Sequence, residues 1–277
     1  MFLKYTCVAS ALCACLLMSS CSKTSEVTIA NPEEKLLKLS ESYAEGAATK
    51  VALYADKNLS AGYNKLYIAL YDSVNNTQKI SNAGITLSPE MTMNMSGMIM
   101  KHGCPVENPS YVASDKLFTG AVIFSMPSSA SDSWLLAVKV DNNETHKAGF
   151  ATFSLNVTES TNNSIKSITL SDGTKITIAL MTPVKPVVGS NDFELAIYQK
   201  KDAYQYIPAI GYELKQDVEM PSMDHGSPNN IDPVETSAGH YKGKVNYTMT
   251  GDWRINLRVL TAGKQVSDGL YFDQTVQ

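Results

Sequence analysis

The sequence predicts an all-β protein, with two tandem immunoglobulin-like β-sandwiches that follow a lipoprotein signal and a short stalk. Three observations carry this expectation. The 277 residues are 44% hydrophobic and 18% charged, which supplies apolar material for two packed domains and excludes a wholly disordered or collagen-like chain. Short runs of alternating apolar and polar residues recur, the period-2 pattern of strands with one face buried and one in water. The body of the chain also repeats itself at a spacing of one sandwich.

Taken in chain order, residues 1–21 (MFLKYTCVASALCACLLMSSC) place one lysine before a short apolar run and small residues. That is the layout of an export signal, too short for a membrane span. Its end, Leu17-Met18-Ser19-Ser20-Cys21, resembles a bacterial lipobox, which implies a signal over 1–20, lipidation of Cys21 and attachment to a membrane of the cell envelope through acyl chains. Four of the five cysteines fall in this segment, so Cys104 is alone in the exported body and no intramolecular disulfide is expected there. Residues 21–46 are expected to be the lipidated cysteine and stalk. Within them Asn31 to Leu39, with an Asn cap, Pro32 at the first turn and early acids, is the one expected helix.

The first sandwich is expected over 47–160 and the second over 161–277. Gly84-Ile-Thr-Leu87 matches Gly211-Tyr-Glu-Leu214 at an offset of 127, and Met100-Lys-His102-Gly103 matches Met223-Asp-His225-Gly226 at 123. The difference implies a four-residue insertion in the Met-rich stretch of the first copy. Strands are expected at 50–54, 65–71, 149–157, 175–181, 193–198 and 269–272. Alternation adds Val122/Phe124/Met126 and Trp134/Leu136/Val138/Val140, echoed by Val245/Tyr247/Met249 and Trp253/Ile255/Leu257/Val259. The short Thr250-Gly-Asp252 link predicts a hairpin between the last two runs.

The sulfur distribution is the chemical signal. Of the ten methionines beyond the signal, nine sit in the repeated motif region and only Met181 lies outside it. Thioethers are soft donors that favour Cu(I) and carry no proton to lose, and imidazole adds a donor that suits Cu(II). Met100-x-His102 and Met223-x-His225 put paired donors on one side of an extended segment. Met126 and Met249 could close a two-Met, one-His site in each copy. In copy one Met93, Met95 and Met98 could add sulfurs and Cys104 a thiolate; in copy two His240 is a further candidate. Each has a plainer reading: Met126 and Met249 continue an apolar face, Met91, Met93 and Met95 alternate as one side of a strand, the two histidines could cap turns, Cys104 could be a buried thiol, and Trp134 and Trp253 are core anchors.

The net charge of -4 with interspersed signs argues against a nucleic-acid partner. No G-x-x-x-x-G-K, G-x-G-x-x-G, G-x-S-x-G or H-E-x-x-H spacing occurs, and four histidines are few for copper redox catalysis, so no enzymatic activity is expected. The run from Val218 to Ser227, followed by Gly239 to Arg254 with its Tyr-Thr-Met-Thr-Gly-Asp-Trp segment, resembles the YtkA-like family. The resemblance implies exported immunoglobulin-like modules linked to bacterial copper handling, with Met220, Met223, His225 and Met249 as candidate ligands. Copy one keeps Met100, His102, Gly103 and Met126 but departs from the pattern through its insertion. The leading expectation is a membrane-anchored copper chaperone, buffer or sensor. The alternative is a structural or adhesive surface lipoprotein whose sandwiches bind a cell-envelope protein partner.

Overall fold

Side chains that alternate between core and water hold a chain extended, and the core then closes by stacking one such sheet on another. The computed structural model shows this arrangement for residues 32–277, and it describes Met1 and residues 32–277 other than Ser96 and Thr161. The expected export signal and the lipidated Cys21 lie outside the described residues. Residues 32–277 form one compact unit. Among the described residues no helix is long and apolar enough to cross a membrane.

The first sandwich holds β1 (Leu37–Ala44), β2 (Thr49–Ala55), β3 (Gly62–Asp72), β4 (Ala83–Met95), β5 (Met98–His102), β6 (Val106–Val112), β7 (Leu117–Phe124), β8 (Ser133–Asn142) and β9 (Lys147–Leu155). One sheet runs β1-β2-β3-β7-β6 and the other β5-β4-β8-β9. Val51, Leu53, Leu66, Ile68, Phe118, Val122 and Phe124 from the first sheet meet Leu87, Trp134, Leu136, Val138 and Phe153 from the second in one core.

The second sandwich follows with β10 (Ile165–Thr169), β11 (Lys175–Thr182), β12 (Gly189–Lys200), β13 (Tyr206–Pro208), β14 (Glu213–Met220), β15 (His225–Gly226), β16 (Ile231–Ser237), β17 (His240–Tyr247), β18 (Gly251–Thr261), β19 (Lys264–Gln265) and β20 (Tyr271–Val276). Its sheets run β10-β11-β12-β17-β16, with β13 beside β12, and β15-β14-β18, with β19 and β20 also on β18. The order of the strands is the same as in the first sandwich. Phe193, Tyr241, Tyr247, Trp253, Ile255 and Phe272 fill its core.

Three sequence expectations are corrected. Of the expected helix over 31–39, residues 32–39 form no more than a single 3-10 turn at Pro32–Lys35, and Asn31 lies outside the described residues. Residues 37–44, expected in the stalk, are instead β1, which pairs with β2 from Leu37↔Ala55 to Ala44↔Thr49. The local cap and proline suit a helix start, but the open edge of β2 offers a ladder of backbone bonds that a helix over these residues would forgo. Glu33 fixes the turn, accepting hydrogen bonds from Tyr54 and Tyr71 and pairing with Lys79. Finally, β17 and β18 are not a hairpin, nor are β7 and β8: in each pair the strands lie in opposite sheets. Both alternating runs turn their apolar face to the same core, so the link arches over from one layer to the other. The tryptophan that opens the second run pins each arch, Trp134 Nε1 donating to the Met126 carbonyl at 3.0 Å and Trp253 Nε1 to the Met249 carbonyl at 3.0 Å.

The two sandwiches meet along β3 and β7 of the first and β11 and β12 of the second. Ala121, Ile123, Ala179, Ala196 and Tyr198 form a small buried cluster there. Above it Glu107 of β6 accepts hydrogen bonds from Tyr63 (2.9 Å), Tyr198 and His240 Nε2 (2.8 Å), tying both sandwiches to one carboxylate.

Candidate functional site

The candidate ligands gather at two places, one in each sandwich, and in both the site is built from the β4–β5 type of hairpin and the neighbouring arch. In the first sandwich the register sets Met91 opposite His102, Met93 opposite Met100 and Met95 opposite Met98. Directly opposed residues of an antiparallel pair share a face, so Met91, Met93, Met100 and His102 fall on one side of the hairpin. Burial then grades along it. Met91 is buried, Met93 half-buried against the core, and Met100 and Met98 are exposed toward the tip.

Met93, His102 and Met126 line one cleft, together with Ser125 and, from the second sandwich, Lys175, Lys200 and Tyr206. The His102 ring stands edge-on to Trp134, with centroids 5.5 Å apart. Its Nδ1 lies 2.8 Å from the Gly103 carbonyl oxygen, which can only accept, so in the neutral ring the proton sits on Nδ1 and the lone pair on Nε2. That Nε2 is buried without a partner, as is Ser125 Oγ beside it in the lining. A ring held by a backbone carbonyl through one nitrogen while the other waits unpaired is the arrangement found for metal-binding imidazole.

In the second sandwich Met220 pairs with His225 across β14 and β15. The Met223 amide closes the turn between them on the Met220 carbonyl at 3.1 Å. Met220 is buried, and its thioether methyl sits against Gly251, where an added Cβ would come within 3.0 Å of it. His225 is exposed, edge-on to Trp253, with Nε2 3.2 Å from Thr248 Oγ1. Met223 and Met249 are exposed at the same end, 62% and 38% accessible. The four candidates of this copy thus lie around one turn and one arch.

Two expected ligands belong elsewhere. His240 opens β17, whereas the Met220–Met249 cluster lies beyond its far end, roughly 23 Å away at the rise of an extended strand. It is a junction residue, bonded to Glu107. Cys104 is buried in the first core, and burial pushes its thiol well above the ordinary range, so it offers no thiolate at neutral pH. Conversely, sequence reasoning missed the place of Met91, which it read as a strand-face residue. Met91 faces both His102 and Trp134 in the register and is the buried counterpart of Met220. The offset of 127 conceals this, because from the matched pairs Leu87↔Val138 and Leu214↔Val259 the second copy is two residues longer on both strands before its tryptophan.

Among the described residues no group of three or more His, Cys, Asp or Glu side chains is placed to hold a metal ion.

Fold and site together define an all-β protein of immunoglobulin-like sandwiches with Met/His clusters at the sandwich ends. Residues 171–258, most of the second sandwich, match the model of the family described as YtkA-like. No curated protein matches the sequence. Solved structures with a similar arrangement include domains 5–6 of the S-layer protein SbsC, 10% identical over 87% of this chain and 98% of that one with a TM-score of 0.30. A conserved domain protein from Bacillus anthracis is 12% identical over 83% and 80%, with a TM-score of 0.29. An I-band fragment of titin is 10% identical over 80% and 62%, with a TM-score of 0.19.

Proposed function

We propose that this protein is a lipid-anchored copper carrier or buffer of the cell envelope that binds Cu(I) through thioether and imidazole groups and performs no catalysis. One observation carries the reading: His102, tethered at Nδ1 and unpartnered at its buried Nε2, lines the same cleft as Met93 and Met126. The donor set fits the ion, since two thioethers and one imidazole match the softness of Cu(I) and leave no carboxylate to attract harder cations. Met220, Met223, His225 and Met249 would hold the second ion, with Met223 and Met249 reachable from solvent. Copper is cargo here, taken up and passed on.

The test is a competitive Cu(I) titration of the protein beside His102→Ser and His225→Ser variants. Two equivalents bound, one lost in each variant, support the reading. No binding tighter than about micromolar, a free energy of roughly -8 kcal/mol, would sink it.

A second reading draws on the exposed Met98, Ile99 and Met100 at the tip of the β4–β5 hairpin. Flexible thioethers suit an adaptable contact surface, and a surface lipoprotein that docks a protein partner would use them so. Capture of such a partner that is indifferent to copper and to chelator would favour this alternative.

A further inference from the structure

The two sites sit on equivalent strands but differ in what holds them. In the first sandwich the hairpin carrying His102 is gripped from outside by residues 201–205 of the second sandwich. The Gly103 amide donates to the Ala203 carbonyl at 2.8 Å. The Gly103 carbonyl in turn accepts from the His102 ring, so one glycine links the imidazole to the neighbouring sandwich. The contact is close. A Cβ on Gly103 would lie 3.3 Å from the Tyr204 Cα and 3.2 Å from the Pro89 carbonyl oxygen. Tyr204 Oη also donates to Glu90 of β4 at 3.2 Å, and Glu90 pairs with Lys101 of β5 at 2.7 Å, so the same loop touches both strands of the hairpin.

The loop is stiff for a local reason. Asp202 Oδ1 accepts from the Tyr204 amide at 2.8 Å and the Gln205 amide at 2.7 Å, and the Lys201 amide closes the turn on the Gln205 carbonyl at 2.9 Å. Among the described residues nothing comparable holds the other hairpin. A Cβ on Gly226, the counterpart of Gly103, would meet only the Val218 carbonyl oxygen of its own sheet, at 3.8 Å. His225 is exposed, and its Nε2 is shared with Thr248.

We infer that the two sites are unequal: the first retains its ion because the 201–205 loop of the second sandwich positions His102, and the second is an open site for exchange. This rests on the copper reading and assigns Asp202 and Tyr204 as positioning residues that touch no metal. Outer groups that orient a metal-binding imidazole typically change affinity by about 10- to 100-fold, and an ion held by a pre-oriented, part-buried set is released more slowly than one at an exposed turn.

The experiment measures Cu(I) release from the whole protein to a chromogenic Cu(I) chelator, using His225→Ser to leave the first site and His102→Ser to leave the second. Release from the first site is expected to be about 10-fold slower or more. Asp202→Ala is expected to speed first-site release by a similar factor and to leave the second site and the thermal midpoint unchanged. Tyr204→Phe, which removes only the Glu90 contact, should give a smaller effect in the same direction and guards against a folding defect in the first variant. Equal release from the two sites, or an Asp202→Ala protein that releases like its parent, would overturn the inference while leaving copper binding intact. A parent protein that binds no copper would defeat the underlying reading and this inference with it.

Discussion

Replacing His240 with glutamine should weaken the protein in acid and leave it nearly untouched in base. His240 Nε2 donates to Glu107 Oε1 at 2.8 Å across the junction between the sandwiches, with the two side chains only 20% and 31% exposed. The hydrogen bond that His240 donates to Glu107 raises its pKa above the ordinary 6.5; partial burial opposes the rise, the Glu107 and Glu194 charges add to it and Lys242 subtracts from it. For Glu107 burial pushes upward, but the bonds from His240, Tyr198 and Tyr63 outweigh it and hold the carboxyl below its ordinary 4.5. A raised histidine contributes stability that is complete below the unfolded value and lost as pH climbs through the folded one. A lowered carboxyl contributes above its unfolded value and loses it as pH falls through the folded one. The pair is therefore worth most between about pH 4.5 and 6.5. A hydrogen bond to a charged group contributes about 1.5–3 kcal/mol and a neutral one about 0.5–1.5 kcal/mol. Glutamine can still donate to Glu107, so the substitution should cost about 1 kcal/mol at pH 5.5. Toward pH 8.5, as pH climbs through the raised folded value and the imidazole loses its proton, the cost should fall. Urea unfolding of both proteins at the two pH values reads this directly. An equal gap at pH 5.5 and 8.5 would refute the ionised pair as a contributor.

Three further outcomes follow from packing. Gly149→Ala should cost about 3 kcal/mol in urea, because the new Cβ would fall 1.8 Å from the Glu45 carbonyl oxygen where the chain leaving β1 crosses β9; a protein as stable as its parent would show that β1 is not seated there. Trp253→Phe should destabilise by about 1–2 kcal/mol by leaving the Met249 carbonyl without its donor, and faster amide exchange around 248–251 is the local readout. Cys104 should resist iodoacetamide in the native protein at pH 8, since its thiol is buried and its pKa raised; Cys104→Ser should bind as much copper as the parent, and rapid native labelling would contradict the placement.

What could be read from the sequence was whatever a period of two encodes. The alternation around Trp134 and Trp253, and the apolar runs at 50–54, 65–71, 175–181 and 193–198, locate β8, β18, β2, β3, β11 and β12. β1 is hidden because Pro32, Glu33 and Glu34 satisfy the rules for a helix start; what overrides them is the edge of β2, which pairs with β1 from Ala44↔Thr49 to Leu37↔Ala55 and adds a ladder that a local helix rule does not weigh. The arches were hidden for a different reason. A short polar link between two alternating runs fits a hairpin and an inter-sheet arch equally well, and only the pairing of β17 with β12 and of β18 with β14 separates them.

The site was half legible in the same way. Clustering of the methionines marks the end of each sandwich where the candidate donors gather, because it depends only on composition along the chain. Which donors meet depends on register, and register depends on the whole sheet. Along the chain Met91, one strand away from His102, therefore reads only as a strand-face residue, while His240, nine residues before Met249, reads as its neighbour although a full strand separates them. The same dependence explains why two nearly identical Met-x-His-Gly motifs end in different surroundings. His102 keeps Nε2 buried and unshared at the foot of its hairpin, against Trp134 and beside Gly103, which the second sandwich holds through Ala203, whereas His225 is exposed and bonds to Thr248 instead. Two copies of one motif therefore differ in their surroundings: Gly103 of the first bonds to Ala203 of the second sandwich, and Gly226 of the second approaches only its own sheet.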